Sequence, residues 1–597
     1  VKAYANDDFS KVAFADTKAA TVDKDYKRIA GDLLSRFGAP KVTATSPTFT
    51  GDGDADSGES KLTWTWNLPT AKWTYGTVVH LVKKDDHWRF VWDARSVWPK
   101  LTQDETLSAT MVDQQRGDIM STSGATLVGP RPVVSVGIDK VKVPPKQAAT
   151  SARRLGKLMH INAKKFVKRV NAAGDKAFVE AIAVRKESMT KAEAAKVRKI
   201  RGAEMLNESL PLAPSKTFAA PILGTVGAVT AELMQKNPGT YSDGELAGLS
   251  GLQQRYDTQL RGRPGVNINV LDANGGVVQK LYQADPVDGQ TLRITLDESL
   301  QAGAEKLLEQ IKPASALVAI RPSDGAVLAA ANGPGTHGIN LATFGKAAPG
   351  STFKTATSLA LIRKGMGPGS EVSCPKHFDV DGKKFSNDSW YPKSALGTVT
   401  LSEAVAQSCN TAMVGQSAKV SDQDLSEAAA SLGFGVDRSA GFPAYFGSVP
   451  AASGSKTEHA ADMIGQGKVL ASPLSMATAI ASIQAGKTVV PQLVQGQQAT
   501  ATGIKPLTTQ EAAQLRTIFR QVVTSGTGRG LKSIPGGPVI AKTGTAEFDK
   551  KGKRLTHTWM IAAQDDLAVA VYVDEGTTGS ATAGPIVESF LRLAREK

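Results

Sequence analysis

Three short polar motifs, lying far apart in the C-terminal half of the chain, can act together only in a fold that brings a helix, a loop and a strand to one place. In the first, Ser351-Thr352-Phe353-Lys354 follows Pro349-Gly350 and opens an apolar run over 355–362 with helical spacing. At i and i+3 on a helix, Ser351 and Lys354 share a face. The helix start adds the positive end of the dipole, which favours negative charge at Ser351. A lysine takes the serine proton only when neutral, and its solution pKa is about 10.4. Burial or a second cation has to lower it, so another positive group is expected to fold back beside Lys354.

The motif S-x-x-K is weak alone: Ser188–Lys191, Ser373–Lys376 and Ser453–Lys456 repeat it and read as surface or loop. At Ser351 two partners follow in order. Ser408-Cys409-Asn410 comes 57 residues later, after a predicted helix over 401–407, and Lys542-Thr543-Gly544 comes 191 residues after Ser351 on an apolar strand. Gly345-Lys346 superficially suggests a phosphate loop, but Ala347 stands where Ser or Thr is needed and the glycine spacing is wrong.

Around these motifs the chain divides. Its 597 residues exceed what one core organises. Residues 1–112 read as a small α+β domain. Its apolar spacing predicts a helix over 9–37 stopped at Gly38, then a Gly/Asp/Ser-rich linker over 51–60, then strands with Asp85-Asp86 as a hairpin turn. Trp64, Trp66, Trp73, Trp88 and Trp92 lie in those strands and read as a sheet packed on its helix, with an aromatic cleft as the alternative. Residues 113–288 mix short strands with a basic helical block. Between Lys140 and Arg201 there are 18 Lys/Arg against 4 Asp/Glu, so this block holds nearly all of the chain's net charge of +15. It reads as solvated faces of amphipathic helices, or as a surface for lipid head groups or an acidic polymer. Nucleic acid is disfavoured, because no interleaved aromatics or recognition fold accompany the charge. From 289 the pattern is helix (296–311), hairpin (316–320 and 326–331, turning at 322–325), a long helical middle, strands over 539–546, 558–563 and 567–573, and a last helix from 584. That order implies one antiparallel sheet with helices on both faces.

Other classes fall away. The seven histidines form no HExxH or HxxxH pair, which leaves little support for a metal enzyme, and two cysteines exclude a disulfide scaffold. No cofactor is expected. The most apolar uncharged window, 469–486, carries Pro473, Thr478 and Gln484 and reads as a buried helix, not a membrane span. The chain starts at Val1 without an apolar signal region, so the expectation is either a soluble protein or one whose leader or anchor has been removed.

The ordered trio resembles the three signatures of the penicillin-recognising serine acyltransferases. Ala348–Lys354, Gln407-Ser408-Cys409-Asn410-Thr411, Gly465-Gln466-Gly467 and Lys542-Thr543-Gly544-Thr545-Ala546-Glu547 resemble the transpeptidase domain of class B penicillin-binding proteins. This likeness runs over 289–597. Arg116-Gly117-Asp118-Ile119 and Tyr256-Asp257…Leu260-Arg261-Gly262 are similar to the non-catalytic pedestal (dimerisation-type) domain of the class. Ser121-Thr122-Ser123-Gly124 departs from it, since the family continues Asp-Arg-Asn-Gly. The Trp-rich first domain resembles the nuclear-transport-factor-2-like (NTF2-like) extension of the methicillin-resistance type.

The resemblance implies a fold: multidomain α+β, with a penicillin-recognising domain whose central antiparallel sheet is flanked by helices. It implies roles as well. Ser351 attacks the penultimate D-alanyl carbonyl of a stem peptide ending in D-Ala-D-Ala, Lys354 is the base, and Ser408 relays a proton. Asn410 holds the substrate amide and steadies Lys354. Lys542 is the second cation and attracts the terminal carboxylate. Thr543 and Thr545 bind that carboxylate, Gly544 lets substrate lie along the strand, and the backbone N–H groups of Ser351 and Thr545 form the oxyanion hole. Cys374 and Cys409 are expected as either a disulfide or two buried thiols. His557 and Trp559 are expected to border the cleft, mainly as packing. Further expectations are acylation by β-lactams, a glycan polymerase partner, and a single N-terminal anchor at the extracytoplasmic face of the membrane. A serine β-lactamase and a non-catalytic sensor or scaffold are the competing readings.

Overall fold

The computed structural model describes residues 1–596 apart from 51–55, 238–239, 242–243, 437–439, 498–502 and 551. The chain forms two compact units, and each draws on separated stretches. One comprises Val1–Gly117, Val226–Leu249 and Tyr256–Thr291; the other comprises Asp118–Thr225, Ser250–Arg255 and Leu292–Lys597. The boundaries expected near 112 and 288 treat the chain as consecutive pieces, whereas these units interleave.

In the first unit the helix Ala19–Phe37 packs Val22, Tyr26, Ile29 and Leu33 against Trp64, Trp66 and Trp73 of an antiparallel sheet. The helix ends at Gly38, whose φ is 72°. It starts ten residues later than its apolar spacing predicts. Phe90 N donates to Ala13 O and Ala15 N to Phe90 O, so residues 13–15 pair with the sheet edge as extended chain. Phe9 instead meets Tyr4 and Tyr26 edge-on in the core. Part of the expected linker, 51–55, lies outside the described residues, and 57–60 belong to the strand Ser57–Asn67. Asp85 and Asp86 both have positive φ, as a tight hairpin turn needs. Val266, Ile268, Val270 and Ala284 complete this core from the hairpin of Gly265–Leu271 and Val277–Ala284.

In the second unit the basic block folds into the helices Pro145–Leu158, Ala163–Ala172 and Lys191–Arg198. Leu155, Phe166, Val170 and Val197 face inward onto Val136 and Ile138 of the long strand Thr126–Asp139. Arg153, Arg154, Lys157, Lys164, Lys165 and Lys168 face solvent.

The sheet that carries the site consists of β1 (Ser315–Ile320), β2 (Val327–Asn332), β3 (Ile540–Lys550), β4 (Lys553–Gln564) and β5 (Leu567–Val573). Its order is β2-β1-β5-β4-β3, antiparallel throughout. Every residue of β1 is buried, which requires helices on both faces. Helices α1 (Glu298–Leu308) and α7 (Gly584–Arg595) cover the face carrying Leu317, Ala319, Val569 and Val571. Helix α5 (Pro473–Ala485) packs on β1, β4 and β5 from the other side. It is buried along nearly its whole length and capped by Ser472 and Gly486. In chain order α2 (Lys354–Arg363), α3 (Leu401–Ala406) and α4 (Asn410–Val414) come between α1 and α5, and α6 (Thr509–Thr524) between α5 and α7. Strand β3 ends the sheet, and its outer side packs on the turn that carries Ser351.

Candidate active site

Ser351 lies in a single 3-10 turn, Gly350–Phe353, that runs directly into α2. Gly350 makes the turn possible. Its φ is 53°, and a Cβ there would stand 2.5 Å from the Thr545 carbonyl oxygen. Its N–H donates to Gly465 O at 2.9 Å, which ties the nucleophile turn to the Gly465-Gln466-Gly467 loop. Trp559, fully buried on β4, braces the same segment by donating to Ala348 O at 3.0 Å.

One helical step on, Lys354 is completely buried. Its Nζ lies 3.0 Å from Ser351 Oγ, 2.8 Å from Asn410 Oδ1, 2.9 Å from Ser408 O and 3.3 Å from Ser408 Oγ. Lys542, also completely buried, reaches Ser408 Oγ at 2.9 Å and Thr543 O at 2.9 Å. The three motifs therefore meet around one serine hydroxyl. Ser408 sits there with φ of 65°, a left-handed conformation rarely held by a serine and concentrated at functional sites.

Burial lowers the pKa of Lys354 to about 7, while the Asp388 carboxylate pulls it upward. Lys542 is pushed well below its usual range, first by burial and then by Lys354. The amine of Lys542 does fold back beside Lys354, but burial, not Lys542, is what lowers Lys354. A lysine titrating near neutrality is a competent base; an exposed one is not.

Thr543, Gly544 and Thr545 follow one another on β3. Thr543 Oγ1 lies 2.7 Å from Thr527 Oγ1, which adds a hydroxyl at the end of the site. Thr545 Oγ1 accepts from Gly579 N at 3.4 Å. At Gly544 a Cβ would lie 2.7 Å from Pro349 O and 2.8 Å from Thr352 Cγ2. The missing side chain thus lets β3 close on the nucleophile turn, a different close approach from the substrate contact expected from the motif. His557 stacks on Phe548 at 3.8 Å and bonds Tyr572 Oη and Asp574 O at 3.0 Å, which makes it a packing residue of the sheet edge.

Cys374 and Cys409 form a disulfide across a separation of 35 residues. It fastens the Ser408 loop to the strand Glu371–Cys374. Three polar residues here have no sequence signature. Asn387 bonds the backbone at Asn410 and Thr411, Asp388 acts on both lysines, and Thr527 joins Thr543. All three sit in polar loops that look like any other, so only the folded chain reveals them.

Arg116 and Asp257, from the two upstream motifs, form a buried ion pair at 2.7 Å. Asp257 also accepts from Tyr241 Oη at 2.8 Å and Gly248 N at 2.7 Å. The departure at Ser121–Gly124 leaves this pair intact; there the Ser121 hydroxyl accepts from Ala125 N and closes a turn.

Residues 315–592 match the penicillin-binding protein transpeptidase domain, and residues 112–294 match the penicillin-binding protein dimerisation domain. The chain belongs to the class B penicillin-binding proteins, which join these two domains. Penicillin-binding protein 3 of Bacillus subtilis is 26% identical, over 95% of this chain and 90% of its own length. The peptidoglycan D,D-transpeptidase MrdA of Acinetobacter baumannii is 25% identical over 81% of each. Among solved structures, the complex between penicillin-binding protein PBP2 and MreC from Helicobacter pylori has the same fold. Its TM-score is 0.64 at 19% identity, covering 82% of this chain and 99% of that one.

Proposed function

We propose that this class B protein is a peptidoglycan D,D-transpeptidase that works through an acyl-enzyme on Ser351. The observation that supports it most is the convergence of Lys354 and Lys542 on Ser408 Oγ, with Ser351 Oγ within reach of Lys354. Neutral Lys354 takes the Ser351 proton as the hydroxyl oxygen attacks the penultimate D-alanyl carbonyl. The C–N bond then breaks, Ser408 delivers a proton to the departing amine, and D-alanine leaves. An amine of a neighbouring stem attacks the ester in the second half and restores Ser351. Backbone N–H groups of Ser351 and Thr545 stabilise the oxyanion; one such donor is worth about 3 kcal/mol. Asn410 steadies Lys354, and Lys542 with Thr543 and Thr545 receives the terminal carboxylate. β-Lactams acylate Ser351 by the same attack.

Residues 289–597 are the transpeptidase domain in this reading, 113–288 the pedestal and 1–112 an NTF2-like extension of the methicillin-resistance type. The aromatic helix-on-sheet core of the first stretch agrees with the last assignment. The protein acts at the extracytoplasmic face of the membrane from an N-terminal anchor, with a glycan polymerase as partner. Among the described residues no helix is long and apolar enough to cross a membrane. A thioester or stem-peptide substrate tests the reading. Release of D-alanine by wild type and none by Ser351→Ala is expected, and equal inertness of the two would leave a scaffold.

A further inference from the structure

We propose that Asn387 is a positioning residue for the acylation step, holding Asn410 and through it Lys354. This rests on the reading of Ser351 and Lys354 as nucleophile and base.

The argument begins at α4. This short helix starts with Asn410, and its first N–H groups need acceptors. The residue before it, Cys409, offers only a disulfide sulfur, which takes Ala412 N at 3.3 Å. The Asn410 and Thr411 N–H groups both donate to one oxygen, Asn387 Oδ1, at 2.8 and 3.1 Å. The other end of the same carboxamide donates to Thr411 Oγ1 at 3.2 Å and to Pro375 O at 3.3 Å. Thr411 Oγ1 in turn donates to Pro375 O at 2.7 Å. One planar group thus fixes the start of α4 against the segment that follows Cys374.

What is fixed there is the base. Asn410 Oδ1 takes the shortest contact that Lys354 Nζ makes, 2.8 Å. A rotation of the Asn410 backbone would withdraw that acceptor and free the amine to swing off Ser351 Oγ. The disulfide holds Cys409 by its side chain but leaves the following peptide free to turn. Asn387 supplies the missing constraint. It does not touch Ser351, Lys354 or Lys542 by any hydrogen bond of the structure, so its effect on chemistry is indirect.

The test uses the whole chain and a fluorescent penicillin, following labelling of Ser351 against concentration and pH. Asn387→Leu keeps the volume but leaves two N–H groups without an acceptor. The limiting acylation rate is expected to fall about tenfold or more, with the half-saturating penicillin concentration changed less than about twofold. Asn387→Asp keeps the acceptor and suits the helix start. It is expected to recover most of the rate at high pH. Its acid limb should move to higher pH, because a new carboxylate favours the ammonium form of Lys354, which otherwise faces the titratable groups Lys542 and Asp388. If Asn387→Leu does not fold, the Asn387→Asp profile decides alone. Labelling by Asn387→Leu within about twofold of wild type overturns the proposal. So does an Asn387→Asp variant that is as slow as the leucine variant, or one whose pH profile does not move. If wild type itself takes up no penicillin, the acyltransferase reading fails instead.

Discussion

Lys354 and Lys542 point their amines at the same oxygen, Ser408 Oγ, from 3.3 and 2.9 Å, and both side chains are completely buried. Two ammonium groups in that space would repel each other without solvent to screen them, so the site favours a neutral amine. Proton transfer from Ser351 then needs no further preparation. The same crowding gives Ser408 a hydroxyl that can pass a proton between an amine on one side and a leaving group on the other.

Acylation should therefore titrate with Lys354. Its pKa of about 7 places the acid limb of the penicillin acylation rate near neutrality, with the rate rising as pH rises because only the neutral amine accepts a proton. Stopped-time labelling over pH 5 to about 9 measures it. A rate that falls as pH rises through this window would rule out Lys354 as the base.

Asp388 opposes that depression. Its carboxylate pulls both lysines upward, and both lysines pull it down against the effect of its own burial. Asp388→Asn removes the negative charge, so the pKa of Lys354 falls and the acid limb shifts to lower pH. An unchanged or higher acid limb would show that Asp388 is too well screened to matter.

Gly544→Ala tests the packing of β3 on the nucleophile turn. The added methyl meets Pro349 O, a backbone atom that cannot step aside without moving Ser351. Acylation should fall by about a hundredfold, while the circular dichroism spectrum keeps its native form, since displaced reacting groups cost rate before they cost fold. Wild-type labelling by this variant would mean that the strand already stands off the turn in solution.

Reduction of Cys374–Cys409 should lower stability by about 3 to 4 kcal/mol, the loop-closure value for a loop of its length. Denaturant unfolding with and without reductant gives the number. Cys374→Ser/Cys409→Ser should reproduce it, and a melting curve unaffected by reductant would contradict it.

The solvent face of the basic helices predicts adhesion to anionic surfaces. Binding to phosphatidylglycerol vesicles should weaken steeply between low and physiological salt, as Coulombic attraction is screened. Arg153→Gln, Arg154→Gln, Lys157→Gln, Lys164→Gln, Lys165→Gln and Lys168→Gln together should abolish it without altering penicillin labelling. Salt-independent binding would point to some other contact.

Much of this architecture is legible in the sequence because its signals are local. The turn over 322–325 announces itself through Pro322 and Gly325, and β5 occupies the expected 567–573. The apolar window around Pro473 is a buried helix as read. The motifs around Ser351, Ser408 and Lys542 show themselves because each pairs a reactive residue with a defined place on a helix, loop or strand. What stays hidden depends on distant partners. The spacing of Phe9 and Phe14 imitates a helix, but the sheet edge at Phe90 claims residues 13–15 as extended chain. Asn387 carries no signature, because its role exists only once residues 410 and 411 stand before it. Gly544 is recognisable as a required glycine, yet the atoms that require it come from the nucleophile turn almost two hundred residues earlier.

Intact-mass spectrometry of the whole chain after addition of penicillin tests the central claim most directly. The predicted result is a single adduct of the full mass of the antibiotic, located on Ser351, persisting for many minutes and absent from Ser351→Ala. No adduct, an adduct on another residue, or one lost within seconds to water would contradict a transpeptidase built around the Ser351–Lys354 pair.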